Sequence, residues 1–520
     1  MMKTLLKRTS VAAIIAATMA FASYGLSGTS AFAASDGNTA VVIGARIVPE
    51  TIDPAHASNA NNDFYIAALY DRLVRFSPEG KLEPALATEW KYAADAKSLT
   101  LTIRGDAVFH SGNKLTAKDV AYSLDRLAAI GAGSGGLIAD YDGSDVSGDQ
   151  ITIRLKRPNL NFLGALSTIY VVDSQVVAQQ EGSDHGQRWL STNEAGSGAY
   201  TLKGYNANQQ VQFARFDKHW SKAEARPTEL TIRIITEASA IRDELRAGGI
   251  DLGVGVPAID LQAFESDANF TVQSLPSTRV TIGAMNMQGK VTSDPRVREA
   301  IQLAYDQKGH MKAALGGYGQ IATSLVPAAM ACRVTIEPYA PDLERAKKLV
   351  TEAGAAGATL RIAYQPVIPE QRVAGTLLEA NLRQIGFNVE VTPVTFSQYL
   401  GLIKSADTTP DVAILWDLAP YPSIGPMLAR TWGGDRVGVS NFARYANAEV
   451  DKLLADGLSQ TDPDKACKDY EQAQEQIIKD RPAIVIAYPA VVQVYDKRIA
   501  AIPYSPVAPT FDLSLLTLAK

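Results

Sequence analysis

Histidine and cysteine are scarce in this chain, with five histidines and two cysteines among 520 residues. No two histidines stand at the H-x-x-x-H or H-E-x-x-H spacing that holds zinc on one face of a helix. No serine lies in a G-x-S-x-G motif, and spacing indicates no cysteine–histidine pair. The sequence therefore nominates no metal ligand, no cofactor and no catalytic residue, and we expect a protein that is not an enzyme.

Long apolar runs are also missing, because no segment beyond the N-terminus approaches the ~18 consecutive apolar residues of a membrane helix. The N-terminus has a basic start, an apolar core from Val11 to Ala22 and a small-x-small cleavage site at 31–33. These features predict that residues 1–33 are a secretory signal peptide. No cysteine lies near the cleavage site, so we expect a periplasmic protein that is not a lipoprotein.

The charge balance is acidic, and the formal net charge is −5 at pH 7. Residues 1–33 contain three basic residues and no acidic ones, so their removal would change the net charge from −5 to −8. An acidic protein is poorly suited to bind nucleic acid or an anionic membrane. The length exceeds the ~250–300 residues at which one hydrophobic core stops growing, which predicts two or more domains.

The two cysteines, Cys332 and Cys467, are 135 residues apart. An oxidising compartment permits a disulfide between them. The alternative is two separate buried thiols, and the sequence does not supply the Cα separation that decides between them.

Strand and helix patterns alternate along the chain. Leu99, Leu101 and Ile103 show the two-residue period of a half-buried strand, as do 151–155 and 389–391. Residues 342–354 show the period of an amphipathic helix, capped by an aspartate and ended by a glycine. This alternation predicts mixed α/β domains.

One glycine-rich segment, 131–136, formally matches G-x-G-x-x-G. A nucleotide-binding turn requires a strand before it and a helix after it. A helical pattern from Ala117 to Leu127 precedes this segment instead, so we interpret it as a flexible loop.

The most informative segment runs from Leu82 to Asp125. Residues 84–90 fit P-x-L-A-x-x-W, and residues 108–120 fit V-F-H-x-G-x-x-L-T-A-x-D-V. On these and further motifs the chain resembles the family 5 extracellular solute-binding proteins, which bind peptides, nickel chelates, opines or oligosaccharides for ABC importers. The further motifs lie at 196–202, 245–251, 294–306, 339–354 and 445–454.

The resemblance implies a two-lobed periplasmic-binding-protein fold with an inserted third subdomain and a ligand cleft between the lobes. Lobe I would comprise 34–78, 196–275 and 488–520, the inserted subdomain 79–195, and lobe II 276–487. The lobes would close on a small organic solute, as hinge-bending receptors do. The partners would be an ABC permease and its ATPase, and we expect a monomer that does not bind nucleic acid.

Two segments are candidates for ligand contacts. The first holds Asn59, Asn61 and Asn62, whose amides suit a polar solute. Its alternative interpretation is a cap for a helix that starts near Asp63. The second segment runs from 416 to 432 and is rich in aromatic residues, as ligand clefts are. Its candidate residues are Trp416, Asp417, Tyr421 and Trp432.

The sequence departs from the dipeptide binders of the family in two places. Those proteins carry an acidic residue about three positions after the tryptophan, where this chain has Ala419 and Pro420. They also carry an arginine for the peptide carboxylate in the segment that aligns with Tyr364 and Gln365, our remaining candidate contacts. Loss of both partners would leave the ends of a dipeptide poorly compensated.

Four functions therefore stay open. The first is a receptor for a peptide or a similar small organic solute. The second is a receptor for an opine, an oligosaccharide or another non-peptide solute on the same fold. A sensor or chaperone partner on this scaffold and a secreted hydrolase are more remote alternatives, since no carboxylate pair is indicated by spacing.

Overall fold

The computed structural model describes residues 39–519 apart from Asn59, Ala329, Pro420, Pro503 and 508–511. The predicted signal peptide, residues 1–33, and the candidate contact Asn59 lie outside the described residues. Within the described residues, no helix is both long enough and apolar enough to cross a membrane.

A seven-stranded mixed sheet contains the first strand of the described chain. The strand order is β12-β19-β11-β1-β10-β9-β8, and β1 runs parallel to both β10 and β11. Val41, Ile43 and Ala45 of β1 are buried in one hydrophobic core, and Val42 packs against a second core on the opposite face. The strands are β1 (Ala40–Ala45), β8 (Tyr200–Asn206), β9 (Gln210–Arg215), β10 (Glu229–Ile234), β11 (Leu252–Val254), β12 (Phe270–Leu275) and β19 (Val491–Asp496).

A six-stranded mixed sheet forms the second large layer, in the order β14-β18-β13-β17-β15-β16. Helices cover both of its faces, which explains why its central strands are almost continuously apolar. The strands are β13 (Arg279–Met285), β14 (Gly319–Ile321), β15 (Thr359–Tyr364), β16 (Asn388–Pro393), β17 (Val412–Leu418) and β18 (Ala483–Pro489).

A separate four-stranded antiparallel sheet, ordered β4-β5-β7-β6, carries the predicted alternating strands. Leu99, Leu101 and Ile103 are buried as their spacing predicted. Two two-stranded sheets pair β2 with β3 and β20 with β21. These strands are β2 (Val74–Phe76), β3 (Leu82–Pro84), β4 (Ala87–Tyr92), β5 (Ser98–Ile103), β6 (Tyr141–Ser147), β7 (Gln150–Leu155), β20 (Ile499–Ala501) and β21 (Thr517–Leu518).

The predicted helix at 342–354 is present as α10, and the Asp342 side chain accepts a hydrogen bond from the amide of Arg345 at its start. The helices are α1 (Ala60–Leu69), α2 (Ala117–Ile130), α3 (Phe162–Ala165), α4 (Ser174–Val177), α5 (Gln187–Leu190), α6 (Ala238–Ala247), α7 (Ala258–Glu265), α8 (Pro295–Ala304), α9 (Gln307–Leu315), α10 (Leu343–Glu352), α11 (Pro369–Gln384), α12 (Phe396–Leu402), α13 (Ile424–Trp432), α14 (Ala448–Ser459) and α15 (Pro463–Asp480). Short 3-10 helices add Pro54–His56, Gly133–Ile138, Leu166–Thr168, Ala178–Gln180, Gly434–Arg436 and Leu513–Leu515.

The glycine-rich segment 131–136 is more ordered than the predicted flexible loop. It follows α2 and enters a 3-10 helix. This 3-10 helix packs closely on the backbone of Ala55 and Leu127. A Cβ at Gly133 would lie 2.3 Å from the carbonyl oxygen of Ala55, and one at Gly135 would lie 2.3 Å from that of Leu127. These glycines therefore permit tight packing, and no strand precedes them as a nucleotide-binding turn requires.

The mixed α/β class is confirmed, and each sheet draws its strands from a different part of the chain. The seven-stranded sheet uses only strands within 34–78, 196–275 and 488–520, whereas the four-stranded sheet lies within 79–195. The six-stranded sheet is built from residues 279–489. The predicted division into two lobes and an inserted subdomain stays a prediction that these sheet memberships support, and the two lobes are named accordingly below.

The chain crosses between the two large sheets twice. Three residues, 276–278, separate the end of β12 from the start of β13, and one residue separates β18 from β19. The hydroxyl of Ser277 donates to the carbonyl oxygen of Pro489, so the two crossings are tied to each other. Two adjacent short crossings between two sheets form the geometry of a hinge.

A disulfide joins Cys332 to Cys467 on α15, with the two Cα atoms 5.2 Å apart. The structure thus contains the bridge rather than the two separate thiols that the sequence left open. It encloses the chain between residues 332 and 467, which includes β15, β16 and β17 of lobe II.

Reduction of this disulfide should destabilise the protein markedly. Closing a loop of this length removes roughly 5 kcal/mol of entropy from the unfolded chain in the loop-closure account, and native bridges typically contribute ~2–5 kcal/mol. We expect urea unfolding with a reductant, or of the Cys332→Ser/Cys467→Ser variant, to show a free energy lower by about that amount. Identical midpoints for oxidised and reduced protein would contradict the bridge.

His110 fastens the inserted subdomain to the start of β8. Its Nδ1 lies 2.8 Å from both carboxylate oxygens of Glu194, and its Nε2 lies 2.9 Å from the carbonyl oxygen of Gly198. Only the protonated ring can donate to acceptors on both nitrogens. Burial opposes the charged form, but the hydrogen bond and charge of Glu194 outweigh it and raise the pKa of His110 above the ordinary 6.5.

The stability of the protein should consequently fall as the pH rises above neutrality. A histidine whose folded-state pKa exceeds its unfolded value stabilises the fold fully below pH ~6.5 and loses that contribution as the pH passes the raised pKa. We expect the free energy of unfolding in urea to decrease between pH 6.5 and 9, and His110→Gln to flatten part of this decrease. An unchanged pH dependence in the variant would exclude His110 as its source.

Candidate ligand-binding site

In lobe II the carboxyl ends of β15 and β17 and the amino end of β13 point toward the same side of the six-stranded sheet, because β15 runs parallel and β13 antiparallel to β17. Tyr364 ends β15, Leu418 ends β17, and Arg279 begins β13 directly opposite Leu418. Ligands of open α/β sheets bind in the crevice beyond the carboxyl ends of strands. Arg279 follows the first hinge crossing by only four positions from Leu275, which places it within about 14 Å of lobe I. This edge is therefore the lobe II wall of the candidate cleft.

Glu370, in the first turn of α11, organises this wall. Its Oε1 accepts a hydrogen bond from the hydroxyl of Thr281 at 2.5 Å and lies 3.2 Å from Nε2 of His310. Its Oε2 accepts a hydrogen bond from the indole Nε1 of Trp416 at 2.6 Å. The carboxylate is almost fully buried. Its contacts link α11, which carries it, to strands β13 and β17 and to helix α9.

His310 is fully buried and links this carboxylate to Tyr305. The tyrosine hydroxyl lies 2.9 Å from Nδ1 of His310. A hydroxyl that donates to Nδ1 leaves the hydrogen on Nε2, which then donates to Glu370. Burial raises the pKa of Tyr305, so the hydroxyl keeps its proton at physiological pH.

Arg279 lies over the ring of Trp416, with the guanidinium carbon 4.5 Å from the ring centroid. No hydrogen bond or ion pair to the guanidinium is present among the described residues, although the side chain is partly buried. Burial lowers the pKa of Arg279, and the negative charge of Glu370 opposes that shift. The wall thus presents a guanidinium, held against an aromatic ring, whose N–H groups have no acceptor in this part of the chain.

Trp416 and Asp417 point to opposite faces of β17, because successive side chains of a strand alternate. Asp417 is buried beneath α13, where it accepts hydrogen bonds from Arg430 and, at 2.9 Å, from the hydroxyl of Thr431. Burial raises the pKa of Asp417, while Arg430 and Thr431 act in the opposite direction. Trp416 and Asp417 both stay predicted contacts, and they occupy opposite faces of the strand.

The other aromatic candidates of the 416–432 segment, Tyr421 and Trp432, are almost fully buried. Trp432 is 1% exposed and packs in the helix-covered core behind β17, next to Tyr445. Tyr421 is buried against Ala165 of the inserted subdomain. An aromatic-rich sequence does not distinguish a core position from a cleft position, and here strand alternation and helix packing decide it.

Tyr421 and Ser423 instead contact the inserted subdomain. The hydroxyl of Ser423 donates to the side-chain oxygen of Asn161 at 2.7 Å. A Cβ on Gly164 would lie 3.1 Å from the ring of Tyr421, so the tyrosine is closely packed there. Both contacts join lobe II to the inserted subdomain.

Tyr364 and Gln365 lie where β15 leads into α11, close to the organising carboxylate. The ring of Tyr364 packs over Gly375, since a Cβ there would be 3.0 Å from it. The amide of Gln365 donates to the side chain of Gln371 at 3.0 Å, and Nε2 of Gln371 is buried without a partner. The structure therefore brings Tyr364, Gln365 and Trp416 together at one wall.

The asparagine candidates of lobe I lie at the start of α1. Asn62 is 2% exposed, and its side-chain oxygen accepts a hydrogen bond from the amide of Glu50 at 3.0 Å. Asn61 is exposed on the same helix. Asp63 is buried and pairs with Arg72 at 2.9 Å. The helix begins at Ala60. Because the side chain of Asn62 is buried and accepts the hydrogen bond from Glu50, its role in this structure is to stabilise the fold.

Sequence reasoning missed two glutamines in lobe I beside the hinge. Gln273 on β12 and Gln493 on β19 are directly paired across the sheet, two positions from the hinge ends of their strands. Gln493 is fully buried, yet neither its side-chain oxygen nor its nitrogen has a hydrogen-bond partner, and Oε1 of Gln273 also has none. The sequence signal that could have identified each glutamine is its polar side chain within a largely apolar strand.

Two cavities lie in or beside lobe II. One of about 310 Å³ lies between Arg157 of the inserted subdomain and helices α13 and α14. Another of about 150 Å³ borders β17, and Trp416, Asp417 and Trp432 are among the residues that line it. Within the described residues, no group of three histidine, cysteine, aspartate or glutamate side chains is placed to hold a metal ion.

Comparison with known protein families agrees with this architecture. Residues 81–438 match the family described as "Bacterial extracellular solute-binding proteins, family 5 Middle". The chain belongs to this family. The predicted family is thereby confirmed, and its members are solute-binding proteins.

Curated relatives and solved structures extend the similarity over nearly the whole chain. The "Probable D,D-dipeptide-binding periplasmic protein DdpA" of Escherichia coli is 27% identical over 483 residues, which cover 90% of this chain and 92% of that protein. The "Heme-binding protein A" of Haemophilus influenzae is 27% identical over 453 residues and covers 81% of each. A dipeptide-binding protein from Pseudoalteromonas, solved with Met-Leu, is 23% identical with a TM-score of 0.80 and covers 92% of this chain and all of that one. The two-lobed periplasmic-binding-protein fold follows.

Removal of the organising carboxylate should destabilise lobe II. In Glu370→Ala three buried donors, on Thr281, His310 and Trp416, would lose their acceptor, and such losses typically cost ~2–4 kcal/mol in total. We expect urea unfolding to show this decrease.

The matched control is Glu379→Ala on the same helix. Glu379 forms a partly exposed pair with Arg383 at 2.8 Å, and its loss should cost about 0.5 kcal/mol or less. Equal effects of the two substitutions would mean that Glu370 does not organise the wall.

Proposed function

We propose that this protein is the periplasmic solute-binding component of an ABC importer and captures a peptide or a similar small organic solute between its lobes. The observation that carries the proposal is the wall itself, in which a solute-binding family member presents Arg279, Trp416 and Tyr364 at a sheet edge beside a hinge. An aromatic surface with a few placed polar groups is typical of a small-molecule site.

The names of two relatives support a peptide as the solute. The Escherichia coli relative is named for D,D-dipeptides, and the Pseudoalteromonas structure contains Met-Leu. The Haemophilus relative is named for heme, so the fold also accommodates other ligands.

An opine, an oligosaccharide or another non-peptide solute is the second candidate. The observation that favours it is the buried pairing of Asp417 with Arg430, which leaves that carboxylate unable to meet a ligand's ammonium group.

The remaining parts of the proposal concern location and partners. The features of residues 1–33 support export to the periplasm through a cleaved signal peptide, without a lipid anchor. We infer a monomer that delivers its solute to an inner-membrane permease and ATPase and performs no chemistry on it. Closure of two lobes around a solute couples occupancy to shape, which allows a permease to distinguish loaded from empty receptor.

A thermal-shift screen of ligand-stripped protein tests this function. The panel comprises di- to pentapeptides, opines, oligosaccharides and nickel chelates. A solute at ~100 times its dissociation constant should raise the free energy of unfolding by ~2.7 kcal/mol. We expect at least one peptide to do so and to be recovered chemically intact by mass spectrometry.

A shift only with an opine or an oligosaccharide would favour the second candidate. Conversion of the solute to a product would contradict a pure receptor, because a binder saturates whereas an enzyme turns over. Absence of any shift across the panel would contradict the proposed solute classes.

A further inference from the structure

We propose that Arg279 is the residue that binds a carboxylate of the transported solute, and that the solute class is therefore a carboxylate-bearing molecule such as a peptide with a free C-terminus. This inference rests on the proposed function, because it names the chemistry of the same site. Nothing in the family description or in the names of the relatives assigns this residue.

The first argument is the state of the guanidinium. Several of the less exposed arginines have carboxylate partners: Arg430 has Asp417, Arg72 has Asp63, and Arg126 has Asp53. Arg279 has none among the described residues, although a buried guanidinium without acceptors is costly. An unsatisfied cation at a ligand-binding edge is best explained by a ligand that brings the missing acceptor.

The second argument is that the carboxylate of Glu370 is engaged by other partners. Glu370 accepts hydrogen bonds from Thr281 and Trp416 and contacts His310, and no ion pair joins it to Arg279. Its negative charge therefore attracts Arg279 only through space. Arg279 therefore keeps its charge but has no hydrogen-bond acceptor among the described residues. Its N–H groups stay available to a solute.

The third argument is orientation. The stacking contact with Trp416 holds the guanidinium against a ring that is itself fixed by its hydrogen bond to Glu370. A stacked guanidinium keeps its N–H groups at its edge, where they match the two oxygens of a carboxylate. Preorganisation of this kind reduces the entropy lost when a ligand binds.

The fourth argument is that the segment which carries the carboxylate-binding arginine in the dipeptide binders lacks one in this chain. The segment between Tyr364 and Pro369 contains no arginine, and Arg372 is exposed on α11. The cation is therefore supplied by β13, immediately after the hinge crossing. A solute carboxylate held there would contact lobe II at the point nearest to lobe I.

Matched ligand pairs test the proposal by isothermal titration calorimetry. Each di-, tri- and tetrapeptide is titrated as its free acid and as its C-terminal amide, and each opine as its acid and its methyl ester. We expect the free acids to bind about 10- to 100-fold more tightly than their neutral partners, as charge-assisted bidentate hydrogen bonds provide. In Arg279→Gln this ratio should fall to near 1, and Arg279→Lys should retain part of it.

Arg372→Gln is the matched control, because it removes an exposed arginine from the neighbouring helix and should leave the ratio unchanged. Circular dichroism and the Tm of each variant establish that it is folded. If Arg279→Gln does not fold, the acid-to-amide ratio of the wild-type protein and the partial rescue by Arg279→Lys still decide the question.

The outcomes separate this inference from the proposed function. Tight binding of a free acid and its amide with equal affinity would overturn the role of Arg279 and leave the receptor function intact. An unchanged ratio in Arg279→Gln would do the same. Binding of neutral oligosaccharides alone would overturn the inference and the peptide proposal together.

Discussion

The buried carboxylate of Glu370 is the constraint on which the candidate site depends. It receives hydrogen bonds from β13 and β17 and contacts a buried histidine of α9, while it is itself fixed in the first turn of α11. A buried carboxylate without these partners would be strongly unfavourable, so four elements must adopt one arrangement to satisfy it. The fixed indole of Trp416 then supports Arg279. The hydrogen-bonded carboxylate of Glu370 thus fixes the geometry of the wall. The guanidinium of Arg279 supplies the group that would bind a ligand.

The two acidic residues of lobe II nearest to this wall illustrate why charge alone does not define a ligand site. Asp417 and Glu370 are both buried, but the alternation of β17 places Asp417 beneath α13 with Arg430. Both carboxylates are engaged by protein donors. What remains available at this wall is a guanidinium and aromatic surface, and in lobe I a pair of buried glutamines beside the hinge. This set suits a solute with an anionic group and amide-like polar groups.

The sequence predicted the family, the mixed α/β class and individual elements such as β5 and α10, because periodicity and capping are local properties. The ligand contacts themselves stay predictions. Tyr364, Gln365 and Trp416 lie at the wall, whereas Asn62, Asp417, Tyr421 and Trp432 are almost fully buried. Residue type does not reveal which face of a strand a side chain occupies or which charges are already paired. Arg279 was overlooked for the same reason, since an arginine at a strand start is ordinary until its missing partner is seen.

A crystal structure of the ligand-loaded protein would test the central claim most directly. The crystal should contain the tightest-binding free-acid solute of the panel. The account predicts a solute carboxylate within about 3 Å of the Arg279 guanidinium, against the face of the wall formed by Trp416, with the Glu370 hydrogen bonds intact. A solute bound with its carboxylate on another cation, or with Arg279 turned away from it, would contradict the account.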